Sequence, residues 1–192
     1  MKIHQLSVTY LAEQDRILVR VNTPAAEEMR LWLTRRLMLG LWPLLGKLLT
    51  RHLLKLESAG TSLEAADEGL KKMLTDFRKE EFLKNADFET PYKQDRPQLP
   101  LGEEPLLVTD VDASPLPNGR LRLRFNERPP NSEKPRSFQM EMEPKLMQGM
   151  MHLLEQALAR SRWQEAFGAA PSMPEDGTSA EEASSGKPRY LN

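Results

Sequence analysis

The start of the chain alternates apolar with polar side chains, a pattern typical of two neighbouring β-strands that share one buried face. The apolar positions are Leu6, Val8, Tyr10, Ala12, Ile17, Val19 and Val21. Two strands at 5–12 and 16–22, joined by a turn at 14–15, account for this pattern. Their register pairs Tyr10 with Val19 and keeps every apolar residue on the same face, because side chains alternate between the two faces of a strand.

The same alternation returns later in the chain and predicts three further strands, at 106–113, 120–126 and 137–142. A Pro-Asn-Gly sequence at 117–119 separates the first two. Proline fixes the backbone at the first loop position and glycine accepts the left-handed one, so we expect a three-residue hairpin loop. This loop pairs Val111 with Phe125 and places both apolar side chains on one face.

Helical spacing of apolar residues predicts three amphipathic helices, at 24–57, 62–84 and 145–167. Thr23-Pro24 marks the start of the first helix, since threonine caps free N–H groups and proline fits the first helical position. Pro43 lies inside this helix and predicts a kink or a break there. Pro144 marks the start of the last helix in the same way.

These elements predict an α+β fold class, in which antiparallel β-hairpins of about five strands pack against three amphipathic helices. We expect a single domain over 1–168. A proline-rich connector at 86–105 separates two stretches, 1–85 and 106–168, that each run from strands into a helix. This order is shared by duplicated units and by ordinary α+β domains, and we favour the latter because no residues repeat. Residues 169–192 hold almost no large apolar side chain, so this tail is predicted to be disordered.

The composition excludes several classes of protein. Lysine and arginine number 27 against 28 aspartates and glutamates, a formal charge of −1 that argues against a globally basic nucleic-acid binder. The absence of cysteine excludes disulfides, thiolate metal sites and a cysteine nucleophile. The longest stretch without a charged or strongly polar residue, 37–46, is half of the ~20 residues that span a bilayer, so no transmembrane helix is expected. No secretory signal opens the chain, and together with the missing cysteine this favours a cytoplasmic location.

A basic stripe on one predicted strand faces an acidic stripe on the next. The two stripes are Arg120, Arg122 and Arg124, and Gln139, Glu141 and Glu143. If these strands pair, opposite charges meet across them and each pair contributes about 0.2–1 kcal/mol. The pairing neutralises the basic surface, which again argues against nucleic-acid binding.

The chain contains no familiar catalytic or nucleotide-binding motif. Its glycines are scattered, and neither G-x-G-x-x-G nor G-x-x-x-x-G-K-[ST] is present. His152 and Glu155 have a spacing found in metal sites built from several such motifs, but no second one accompanies them. We therefore expect no cofactor, no metal ion and a function other than catalysis. The alternative, a small-ligand-binding domain or enzyme, places a pocket between sheet and helices that uses Asp110, Arg122 or His152.

Residues 29–56 differ from the rest of the chain in holding twelve leucines, two tryptophans and six basic residues but no acid. After Pro43 the apolar residues form one band, whereas before it they occur on nearly every side of a helix. A helix that is apolar on most sides must be covered on most sides. The cover could come from the chain's own elements, from a second copy or another protein, or from a membrane surface.

We predict a non-enzymatic protein-interaction or assembly module that self-associates, as a homodimer, or docks a partner through the helix at 24–57. Tryptophan is enriched in interface cores, and the expected contact residues are Trp32, Trp42, Leu45 and Leu49. The alternative is attachment to an anionic membrane surface through the basic amphipathic part at 43–56. Its contact residues recur every four positions on one side of the helix and are Lys47, Arg51 and Lys55.

Overall fold

The computed structural model describes residues 2–57, 97–128 and 136–163 and, between the first two ranges, positions 69, 73, 76–77, 80–81, 84, 86–87 and 90–92. Of residues 52–57 it describes the backbone alone. In this part of the chain seven strands form two sheets and two α-helices pack against them, so the α+β class is confirmed. The predicted tail at 169–192 lies outside the described residues, as does most of the predicted helix at 62–84. The described positions within 69–84 are all helical.

The first sheet has four strands in the order β1–β2–β3–β4. They are Gln5–Leu11, Arg16–Asn22, Glu28–Thr34 and the short Leu106–Leu107. β1 pairs antiparallel with β2, and β2 pairs antiparallel with β3, whereas β4 runs parallel to β3. A segment from the second half of the chain thus completes a sheet that begins at the N-terminus.

The second sheet is an antiparallel meander in the order β5–β6–β7. Its strands are Asp110–Pro115, Leu121–Glu127 and Arg136–Met142. Helix α1, Arg35–Glu57, follows β3 directly, and helix α2, Pro144–Ser161, follows β7. The two helices contact each other, and α2 also packs on β1.

The segment 28–34 is a strand, so the predicted helix at 24–57 is wrong in its first third. Met29, Leu31 and Leu33 are buried and the residues between them are only partly buried, which is the two-residue period of a strand. The strand forms because β2 pairs with it on one side and β4 on the other. Pairing with a distant segment therefore overrides the local helical signals.

Thr23-Pro24, the predicted helix start, belongs to a turn between β2 and β3. The Glu27 N–H donates to the Thr23 hydroxyl at 3.4 Å, much as it would at a helix cap. The chain then passes through Ala26, whose φ is +57°, and enters β3 in place of a helix. The residues that would cap a helix here stabilise a turn between two strands.

The first hairpin forms as predicted in its strands, but its register differs by two residues. Tyr10 pairs with Ile17, whereas the predicted turn placed it opposite Val19. The connection is longer, a 3-10 turn at Ala12–Gln14 followed by Asp15 in the left-handed conformation with φ 48°. A two-residue shift leaves each side chain on its original face, so the predicted apolar face is retained.

The second hairpin has the predicted register. Val111 pairs with Phe125 around the loop at 117–119, whose glycine adopts a φ of +75°. The predicted charge pairing across the next strands is also confirmed, since the Arg122 guanidinium lies 2.8 Å from the Glu141 carboxylate. The basic stripe is neutralised within its own sheet.

One extended segment joins the two sheets by changing its partner. The Val108 N–H donates to the Trp32 carbonyl of β3 at 3.0 Å, and the next N–H, that of Thr109, donates to the Asn126 carbonyl of β6 at 2.8 Å. The predicted strand at 106–113 is therefore two strands, β4 and β5. With β3 added, the predicted five strands become seven.

One hydrophobic core runs between the sheets and the helices. Its largest fully buried side chains are Ile17, Leu31, Leu33, Met38, Leu45, Leu106, Leu121, Leu123, Met140, Met142, Met147 and Trp163. Pro144 opens α2 as predicted. That helix ends at Ser161, not at 167, because Arg162 takes a left-handed conformation with φ 52° that terminates the helix.

Asp15 ties the C-terminal end of α2 to the first hairpin. The Trp163 indole N–H donates to its carboxylate at 2.5 Å, and the Tyr10 hydroxyl donates to the same carboxylate at 2.9 Å. The Tyr10 and Trp163 rings meet edge to face with centroids 5.7 Å apart. The hydrogen bond from Trp163, followed by that from Tyr10, lowers the pKa of the Asp15 carboxyl because both bonds favour its charged form.

Replacing Asp15 with asparagine should lower the free energy of unfolding at neutral pH by up to about 1 kcal/mol, because an amide attracts the two donors less than a carboxylate and the site is solvent-exposed. Asparagine keeps the side-chain size and tolerates the left-handed backbone. The pKa of Asp15 is lower in the folded chain than in the unfolded chain. Its carboxylate therefore stabilises the fold above the unfolded pKa, and this stabilisation is lost as pH falls through the folded pKa.

Urea denaturation of the two chains across acidic pH should show their midpoints converging as the pH falls. The matched control is Glu13→Gln, which removes an exposed charge from the same turn, where Glu13 accepts no hydrogen bond among the described residues. This control should move the midpoint little at any pH. Equal losses from both substitutions would contradict a special role for the Asp15 hydrogen bonds.

Candidate functional site

The outer side of α1 carries large apolar side chains that remain exposed. Leu44 is 62% exposed and Leu39 is 39% exposed. They share this side of the helix with basic residues, because the exposed positions recur at intervals of three and four. We call this surface the α1 ridge, and its members are Arg36, Leu39, Gly40, Pro43, Leu44, Lys47 and Arg51.

The opposite side of α1 fixes the orientation of the ridge. Met38, Leu41, Leu45 and Leu49 recur at three- and four-residue intervals and are all buried in the core. Turning the helix to bury Leu44 would bring these residues into water, at a cost of about 1.5–3 kcal/mol for each large side chain. The ridge is therefore held outward by the packing of the helix that carries it.

The ridge is basic. Arg36, Lys47 and Arg51 form no ion pair among the described residues. Helix α1 has no acid before Glu57, so no carboxylate lies one turn away on the same helix. This contrasts with Arg122 of β6, whose guanidinium lies 2.8 Å from the Glu141 carboxylate of β7.

Pro43 lies in the ridge inside one continuous helix, so of the predicted kink or break, the break does not occur. Proline has no N–H, and the Leu39 carbonyl therefore lacks the donor that residue 43 would ordinarily supply. Gly40 is exposed too, and a side chain there would meet nothing within 4 Å. Gly40 and Pro43 lie between Leu39 and Leu44 around the helix. Because their side chains are absent or short, the surface between the two leucines is lower than the leucines themselves.

None of the four predicted contact residues lies on the ridge. Leu45, 2% exposed, and Leu49 belong to the core of the chain itself. Trp42 is partly buried and packs against that core. Trp32 is a partly buried residue of β3 on the sheet face opposite the core. The leucines that α1 does expose were missed because the predicted helix began too early for one apolar band to be recognised.

Two of the three basic residues predicted to contact a membrane lie on the ridge. Lys47 and Arg51 are exposed there. Lys55 is in the backbone of α1, but its side chain lies outside the described residues. The i, i+4 spacing therefore located correctly the side of the helix that faces away from the core.

A second candidate is a cavity of about 410 Å³ at one end of the first sheet. Its lining residues are His4, Asn22, Thr23, Pro24, Ala26, Glu28 and Pro97. Asn22, Thr23 and Glu28 are buried, which is uncommon for polar side chains unless they are hydrogen-bonded. The sequence offered no signal for this cavity, because its lining comes from segments far apart in the chain.

Glu28 is a buried carboxylate, 3% exposed, whose two oxygens are both occupied. The Arg30 Nε donates to one oxygen at 2.6 Å and the Tyr92 hydroxyl donates to the other at 2.9 Å. The Arg20 guanidinium lies over the Tyr92 ring, 4.6 Å from its centroid. Burial, followed by the hydrogen bond to Glu28, raises the pKa of the Tyr92 hydroxyl. The network holds the cavity wall together, and each Glu28 oxygen accepts a hydrogen bond within it.

The residues named for a sheet–helix pocket do not line this cavity, and each has its own partner. Asp110, Arg122 and His152 lie on β5, β6 and α2. Their respective partners are Asn126, Glu141 and Gln156. The structure therefore does not bring these three side chains together as one site.

Among the described residues, no three histidine, aspartate or glutamate side chains are grouped so as to hold a metal ion. In the same part of the chain, no helix is both long enough and apolar enough to cross a membrane. Comparisons with protein-family models, with curated proteins and with solved structures find no match.

Two adjacent leucines of α1 should respond very differently to truncation. Leu45→Ala should lower the free energy of unfolding by about 2–5 kcal/mol, because it leaves a cavity in the core. Leu44→Ala, the matched control one residue away, should change it by no more than about 0.5 kcal/mol because Leu44 is exposed. Urea denaturation measures both. Similar losses in the two variants would contradict the orientation of α1.

Removing the Tyr92 hydroxyl should destabilise the fold through Glu28. Tyr92→Phe leaves one oxygen of a buried carboxylate without its donor, and we expect the free energy of unfolding to fall by about 1–3 kcal/mol. Tyr10→Phe is the matched control, since it deletes the same group next to the exposed carboxylate of Asp15. Thermal or urea denaturation should show the smaller loss for Tyr10→Phe, and the reverse order would exclude the buried network as a stabilising element.

Proposed function

We propose that this chain is a protein-interaction module that docks a partner through the α1 ridge. The observation that carries the proposal is the exposure of Leu39 and Leu44 together on a helix whose opposite side is buried. Exposed apolar side chains within a polar border are typical of interaction sites, and here the two leucines flank the lower surface at Gly40 and Pro43. The proposal keeps the predicted helix as the docking element and moves the contact residues to its outer side.

The order of residues along the ridge supports a protein partner. Arg36 precedes the two leucines, and Lys47 and Arg51 follow them, so charge borders the apolar centre at both ends. Protein interfaces have this anatomy, an apolar centre that excludes water and a polar rim that remains wet. Leu39 and Leu44, with the low surface between them, are the expected centre.

The unpaired cations indicate the chemistry of the partner. Arg36, Lys47 and Arg51 have no carboxylate partner among the described residues of this chain. A partner surface that carries carboxylates would supply one, would accelerate encounter and would disfavour basic competitors. The ridge is therefore expected to bind an acidic surface with apolar side chains at its centre.

A membrane surface fits the ridge less well. An interfacial helix buries an entire apolar face at the boundary between headgroups and acyl chains. Helix α1 directs that face, which includes Leu45, into the core of the chain. Up to Arg51, the last residue of α1 whose side chain is described, Leu39 and Leu44 are the large apolar side chains that stay exposed. Two leucines provide little apolar area for insertion. Lipid binding is the competing outcome of the following experiment.

Site-specific photo-crosslinking tests the proposal. A photoreactive amino acid at Leu44, in the full chain expressed in the cells that produce it, should yield a discrete protein adduct. Lys47→Glu with Arg51→Glu in the same chain should reduce this adduct about tenfold or more, because like charges then meet the acidic partner. The readout is the adduct yield by mass spectrometry.

Two controls accompany this experiment. Lys145→Glu with Arg160→Glu makes the same change in net charge at exposed positions of α2 and should leave the adduct intact. The photoreactive group at Gln139, an exposed residue of β7, should not give the same adduct. Adducts with lipid alone, or no adduct at Leu44, would exclude a protein-docking function for the ridge.

A further inference from the structure

A second exposed surface, between positions 69 and 84, combines apolar side chains with the opposite charge. Met73 is 64% exposed and Phe77 is 62% exposed, both at helical positions. Asp76 and Glu80 are exposed on the same stretch and form no ion pair among the described residues. We call Met73, Asp76, Phe77 and Glu80 the acidic face; Lys84, exposed one turn after Glu80, borders it on the same side of the helix.

The acidic face matches the α1 ridge in spacing as well as in charge. On the ridge, Leu44 is followed after three and seven residues by Lys47 and Arg51. On the acidic face, Met73 is followed after three and seven residues by Asp76 and Glu80. Each residue of a helix advances about 1.5 Å, so each set spans about 10 Å along its axis. Two helices aligned in parallel therefore place the apolar side chains opposite each other and both basic residues opposite acids.

The two surfaces do not cover each other within one chain. Leu44, Met73 and Phe77 each keep more than half of their surface exposed when the whole chain is present. The cations of the ridge and the acids of the acidic face form no ion pair with each other or with any other described residue. Both surfaces are therefore exposed, and each carries the charge opposite to that of the other.

We infer that the partner of the α1 ridge is a second copy of this chain, which contributes its acidic face. The inference rests on the proposed function, because it names the partner for the same ridge. The ridge of one copy contacts the acidic face of the other. Lys47 meets Asp76, Arg51 meets Glu80, and Leu44 packs against Met73 with Phe77 beside them.

Two-fold symmetry lets the contact form twice. Each copy carries one ridge and one acidic face, so a two-fold axis between the copies pairs both surfaces of each chain reciprocally. A closed dimer results, with no ridge or acidic face left unpaired. The apolar centre of each contact and its two ion pairs then contribute twice to one assembly.

A charge exchange tests the inference on the full chain. Sedimentation equilibrium should show a dimer for the unaltered chain at tens of micromolar and low salt. Lys47→Glu with Arg51→Glu, and separately Asp76→Lys with Glu80→Lys, should each weaken the homodimer about tenfold or more, because each substituted surface then meets its own sign of charge. A mixture of these two variants should dimerise, since both contacts in the mixed dimer again join opposite charges.

The mixture also separates loss of docking from loss of folding, because a misfolded variant would not regain a partner. Lys145→Glu with Arg160→Glu, exposed on α2, is the matched control and should leave the dimer constant unchanged within about twofold. A monomeric unaltered chain, or a mixture that stays monomeric, would overturn the inference. A monomeric chain that still gives a Leu44 adduct with a different protein would leave the proposed function standing. Absence of both the dimer and any protein adduct would overturn both.

Discussion

The arrangement of this fold depends on the change of partner at Val108 and Thr109. Up to Val108 the chain hydrogen-bonds to β3, and from Thr109 onward it hydrogen-bonds to β6. Two consecutive peptide groups thus connect a sheet built from the N-terminal third of the described chain to a sheet built from its second half. Without this connection β3 would be an edge strand, and helix α2, which packs on both β1 and β7, would remain as a link between the two sheets.

The position of β3 determines what α1 can expose. Because 28–34 is used as a strand, the helix begins at Arg35 and contributes only one face to the core, the face that includes Met38, Leu41 and Leu45. A helix that started at 24 would have been apolar around its circumference and would have required cover on several sides. The actual helix needs cover on one side for stability, and Leu39 and Leu44 on its other side stay exposed.

Features that depend on local sequence were predictable, and those that depend on distant pairing were not. The alternation in both hairpins, the Pro-Asn-Gly loop and the start of α2 at Pro144 follow from neighbouring residues, and the structure has them. The strand β3 pairs along its whole length with its neighbour β2, and at Leu31 and Trp32 also with Leu106–Leu107, more than 70 residues away, while the residues that precede it resemble a helix start. Glu28 is similar, since its donor Tyr92 is 64 residues distant. For the candidate site, the sequence indicated the helix and its exposed basic residues Lys47 and Arg51. It did not indicate Leu39 and Leu44, because the buried side of α1 can be assigned only once the start of the helix is known.

The charge of the whole chain, −1, conceals a division between charges that are paired locally and charges that are not. Arg122 of β6 meets Glu141 on the adjacent strand, so this pairing follows from the same register that builds the sheet. Arg36, Lys47 and Arg51 of α1, like the exposed acids at 76 and 80, form no ion pair among the described residues. Because the net charge is close to zero, little general repulsion would oppose the approach of two copies, and in the proposed dimer local patches of opposite sign set their orientation. The proposed assembly therefore uses charges that have no partner among the described residues, and it leaves the ion pair of the second sheet intact.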